Sequence, residues 1–133
     1  MFSFRMFPIN RLMPAIVWAF FIFILSVIPG KELLQSNINQ LDKLIHFGFY
    51  LILFLLSYHG IESKKKVLVL IVFFLCSVYG FLIECFQGAF LEDRFFDWYD
   101  VFANMTGAFI GMSLITLNRQ TKNLEKQDVM PKK

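Results

Sequence analysis

Residues 67–83 read VLVLIVFFLCSVYGFLI, a run of 17 positions without one acidic or basic side chain. As an α-helix that run is about 25 Å long, close to the hydrocarbon thickness of a bilayer once flanking residues are recruited. Three further stretches share this character: Leu12–Ile28, Leu44–Tyr58 with His46 inside it, and Val101–Leu117. The second is the shortest, and continuing it through Gly60 and Ile61 brings it into the spanning range. Composition agrees, with 57% hydrophobic residues, 17% charged and 18 Phe in 133 positions. Soluble domains carry about a quarter charged residues and disordered chains are poor in aromatics, so both classes are excluded. The fold class expected is all-α: a polytopic membrane protein, a compact bundle of four transmembrane helices.

The ends of these spans follow from local chemistry. Pro14 is expected in the first turn of the first span, where a missing N–H does no harm, and Pro29-Gly30 ends that span. Arg5 and Arg11 precede an apolar run as in a signal peptide, but no small-x-small cleavage site follows, so the first span is read as retained. Residues 118–133 are polar without an apolar period, which predicts a frayed or disordered tail beyond a membrane domain covering 1–117.

The net charge of +3 is explained by topology. Lys and Arg number two before the first span, two in the first loop, three in the second (Lys64, Lys65, Lys66), one in the third (Arg94) and five in the tail. The positive-inside rule then puts both termini and the triple-lysine turn in the cytoplasm, and the other two loops outside. Anionic inner-leaflet lipid accounts for the basic excess, so no nucleic-acid partner is inferred. Cys76 and Cys85 lack a CxxC or a matching His pair, and read as apolar packing residues.

Polar residues recur at helical spacing near the outer ends of the last three spans. Asp42, His46 and Tyr50 share a face of the second, with Lys43 beside Asp42. Gly80, Glu84 and Gln87 share a face of the third. Asp97, Asp100, Asn104, Gly107 and Gly111 form a seam along the fourth. The lower part of that seam, with Ala103, is a small-xxx-small packing surface. The upper part competes between two readings: Asp42 and Asp100 could be helix N-caps, but caps do not require His46, Glu84, Gln87 and Asn104 at one membrane level.

The ordered set Asp42-Lys43-x-x-His46-Phe47-x-x-Tyr50, Glu84-x-x-Gln87, Arg94, Asp100, Asn104, Gly107, Gly111 resembles the VanZ-like family of small bacterial membrane proteins. The resemblance runs from about Leu41 to Gly111 and agrees in the number of spans. The chain departs from the family's pattern before Arg94, where Leu91-Glu92-Asp93 stands in place of a Pro- or Gly-containing approach. The resemblance implies a bacterial cytoplasmic-membrane protein of the cell envelope, related to one associated with teicoplanin-type glycopeptide resistance, and implies no established reaction.

Chemistry suggests roles for the set. His46 would transfer a proton, Asp42 or Asp100 would orient its ring, and Glu84 would be a second acid or base. Lys43 and Arg94 would hold an anionic head group, with Gln87, Asn104 and Tyr50 completing the binding site. The leading expectation is a site that binds or processes an anionic amphiphile, a phosphorylated lipid or lipid-linked cell-wall intermediate, at the outer leaflet. Two alternatives stand beside it: a non-catalytic structural or partner-binding protein, and a divalent-cation site built on the same carboxylates. Neither the substrate nor the oligomeric state is written in the sequence.

Overall fold

The computed structural model describes residues 9–28, 38–62, 65–92 and 94–129. Four helices occupy them: α1 (Ile9–Val27), α2 (Ile38–Gly60), α3 (Lys66–Phe90) and α4 (Trp98–Val129), with no strand among the described residues. All four are long and apolar enough to cross a membrane, which makes this a multi-pass membrane protein of all-α class. Consecutive antiparallel helices put the N-terminus of α2, the C-terminus of α3 and the N-terminus of α4 at one end of the bundle. The turn carrying Lys65 and Lys66 lies at the other end.

Two expectations about helix ends are corrected. Pro14 is the sixth residue of α1, inside the helix, because α1 begins three residues before the apolar run. Its ring therefore removes the hydrogen bond that the Asn10 carbonyl would accept. The tail is helical through Val129 instead of frayed, with residues 118–126 exposed. Arg119, Gln120, Lys122, Leu124, Glu125 and Lys126 are good helix formers, and a helix already nucleated in the bundle extends through them without a second nucleation step. Residues 130–133, and Lys64 of the triple-lysine turn, lie outside the described residues.

Packing centres on α2, which lies against α4 along most of its length and also meets α1 and α3. Tyr50, Phe54, Ile22 and Ala108 form the heart of the core. Gly107 is where α2 and α4 come closest: a Cβ there would run into the Phe47 carbonyl oxygen and the Leu51 backbone nitrogen. At Gly111 the added carbon would stand 2.9 Å from the Phe54 ring. Both glycines thus let backbone and ring approach where lipid supplies no hydrophobic force between helices. Single hydrogen bonds fasten α1: Trp18 Nε1 donates to the Phe49 carbonyl (3.0 Å), and Tyr79 Oη to the Ala19 carbonyl (2.7 Å). Outward-facing Phe20, Val67, Phe74 and Leu82 are exposed, as side chains meeting acyl chains should be.

Candidate functional site

The polar faces expected on α2, α3 and α4 converge at one end of the bundle. His46, one turn inside Asp42 on α2, is buried. Its Nδ1–H donates to Asn104 Oδ1 of α4 at 3.0 Å, which leaves the lone pair on Nε2. That Nε2 faces Asp42 Oδ1 at 3.9 Å. On the other side of the ring, Glu84 Oε1 of α3 stands 3.7 Å from Nδ1. Glu84 is 1% exposed and Asn104 0%. Gly80 permits this crossing of α3, since a Cβ there would lie 2.9 Å from Asn104 Cβ and 3.0 Å from Tyr50 Cε1.

At the rim, Lys43 reaches from α2 to the start of α4. Its Nζ donates to Asp97 Oδ2 at 3.3 Å and lies 3.6 Å from Asp100 Oδ1, with the Tyr99 ring centroid at 5.7 Å. Asp97 is the cap of α4: its Oδ1 accepts the Tyr99 backbone N–H at 2.8 Å. Asp100 sits in the first turn and Asp42 more than one turn into α2, so neither is an N-cap, and their carboxyl groups are turned toward His46 and Lys43. The capping alternative is removed for both.

Two expected members stand apart. Gln87 Nε2 donates to the Ser26 carbonyl at 3.0 Å, fastening α3 to the last turn of α1 and not to the cluster. Arg94, half-buried in the α3–α4 connection, has no ion-pair partner among the described residues. Tyr50 lies beneath the cluster, fully buried, its ring 6.2 Å from that of Tyr79. The Lys43–Tyr99 contact was not anticipated; an aromatic next to the Asp97 cap at a headgroup level is the signal that could have found it.

Among the described residues, four buried side-chain polar atoms have no hydrogen-bond partner: Tyr50 Oη, Glu84 Oε1, Asp100 Oδ1 and Asn104 Nδ2. Each such atom costs on the order of 1 to 3 kcal/mol, and all four fall in this one cluster. Packing would favour their replacement by apolar groups, so a stability role explains them poorly.

A model of the VanZ/LLP1 family matches residues 7–119. The chain belongs to the VanZ/LLP1 family. The match covers all four membrane spans up to the exposed part of α4. An uncharacterized protein of the fission yeast Schizosaccharomyces pombe is 29% identical over 85 residues, 64% of this chain and 52% of that protein. The chain thus spans about half the length of that curated relative. Because the relative is fungal, family membership alone does not place the chain in a bacterium. No solved structure matches.

Proposed function

We propose that this VanZ/LLP1 protein binds or processes a phosphorylated amphiphile at the membrane surface, in the cluster formed by Asp42, Lys43, His46, Glu84, Asp100 and Asn104. The observation that carries this reading is the set of four orphaned buried polar atoms gathered around one histidine in a membrane bundle. Polar groups at that depth are expensive and face a function when they are not paired with one another. In this reading His46 moves a proton between Nε2 and the bound molecule, with Asn104 fixing its tautomer. Glu84 and Asp100 are the further acids or bases, and Tyr50 closes the floor. Arg94, whose planar fork has no ion-pair partner among the described residues, reaches the head group from the rim, while Gln87 holds the helix that carries Glu84.

The proposal includes a location. With the Lys65–Lys66 turn and both termini in the cytoplasm of a bacterial inner membrane, the cluster opens toward the outer leaflet. A relative in a fungus favours a phospholipid-type head group over one tied to a bacterial wall. Any effect on glycopeptide susceptibility is carried, in this reading, only through such a lipid. The reading has one physical requirement. Three acidic side chains, Asp42, Glu84 and Asp100, gather around His46 while the nearby lysine, Lys43, is already paired with Asp97, so an anionic head group needs further positive charge there.

The test is lipid analysis of protein purified gently in detergent, beside its His46→Ala variant. A phospholipid or prenyl phosphate should be enriched with the wild type and lost from the folded variant. Equal lipid content in both would remove the site from this function.

A further inference from the structure

We propose that Asp42, His46 and Asp100 hold a divalent cation, which supplies the positive charge that a phosphate-bearing ligand needs in this cluster. The proposal deepens the amphiphile reading by naming the site's inorganic partner. Each of the three residues offers one ligand atom, and those atoms all lie within 4.8 Å of one another. Cation–ligand distances of about 2.0 to 2.6 Å put atoms on opposite sides of one ion about 4 to 5 Å apart, so a single ion reaches all three.

The imidazole is set up as a ligand. Its Nδ1–H is engaged by Asn104 Oδ1 at 3.0 Å, which turns the Nε2 lone pair toward Asp42 Oδ1. Two acceptors 3.9 Å apart, with no donor between them in that tautomer, repel unless a cation joins them. The hydrogen bond from the distal ring nitrogen is the arrangement that orients metal-bound histidines, and Glu84 Oε1, 3.7 Å from the same nitrogen, reinforces it.

A second observation points to a ligand independently of the acidic count. Asp100 Oδ1 and Glu84 Oε1 are buried and accept no hydrogen bond, although Asp100 is 7% exposed and Glu84 1%. Lys43 satisfies neither fully: its Nζ lies 3.6 Å from Asp100 Oδ1, beyond hydrogen-bonding distance, and donates to Asp97 instead. Asp42 on the partly exposed side leaves an approach for an ion and for phosphate oxygens. Two carboxylates and one imidazole suit Mn²⁺ or Zn²⁺, with open positions left for the ligand.

The experiment uses the full chain in detergent, its affinity tag removed, stripped with chelator and titrated with MnCl₂ while free Mn²⁺ is followed by electron paramagnetic resonance. One Mn²⁺ per chain is expected, with affinity about tenfold or more weaker in Asp42→Asn and in His46→Gln. Asp97→Asn, which keeps a capping side chain, should bind as the wild type does, and its thermal unfolding controls for folding. Absence of saturable Mn²⁺ uptake by the wild type overturns the proposal, as does uptake that all variants share. Lipid that stays bound after the metal is stripped, together with no uptake, overturns the cation and leaves the amphiphile reading standing. Stoichiometric uptake by protein that carries no lipid supports the cation and removes the amphiphile.

Discussion

The two halves of the α2–α4 contact are built on opposite rules. Toward the Lys65–Lys66 end, Gly107 and Gly111 admit the Phe47 carbonyl and the Phe54 ring so closely that a single added carbon has no room. Toward the other end, about one helical turn away, Asp100 and Asn104 leave polar atoms buried and unmatched beside His46. The first half is what a helix pair does to hold together in lipid. The second costs the bundle on the order of 1 to 3 kcal/mol for each unmatched atom, and under the proposed function a ligand offsets that cost.

That contrast can be broken by mutation, with the largest stability effect at the glycines. Gly107→Leu should destabilise the bundle by about 3 kcal/mol, measured by reversible unfolding in mixed micelles, because backbone must move to admit the side chain. Gly111→Leu should cost less, about 2 kcal/mol, since the obstacle is the Phe54 ring, which can turn. At the polar end the sign changes: Glu84→Gln should leave stability unaltered or raise it by about 1 kcal/mol, because it removes a buried acid whose Oε1 accepts no hydrogen bond, while lipid or metal retention falls. The smallest effect belongs to the exposed part of α4. Lys122→Pro should lower helicity in circular dichroism yet shift bundle stability by less than about 0.5 kcal/mol. A large loss there would mean that the tail contributes to the bundle.

The division between the halves was partly legible in residue order. Seventeen-residue apolar runs announce spans because backbone groups in lipid must be satisfied within the helix. Helical spacing placed Asp42 with His46 and Asp100 with Asn104, since side chains three or four positions apart share a face whatever the tertiary context. What spacing could not give was the partner across the interface. Gln87 has the register of a site residue, yet it binds the Ser26 carbonyl, a choice fixed by where α1 ends. Asp42 and Asp100 read as caps in sequence, and only the turn into α4 gives the cap of that helix to Asp97. The helical tail is not legible in apolar periodicity, which reports burial, whereas residues 118–129 are helical by propensity on a helix already formed.

The account's central claim is that the polar end of the bundle serves a ligand at the expense of stability. Its most direct test is the double variant Glu84→Gln, Asp100→Asn, followed side by side for thermal unfolding in detergent and for phospholipid retained through purification. Unfolding at an equal or higher temperature, with the lipid lost, is the result the account predicts. A lower unfolding temperature with lipid fully retained would contradict it, by showing that these carboxyl groups hold the helices together and nothing else.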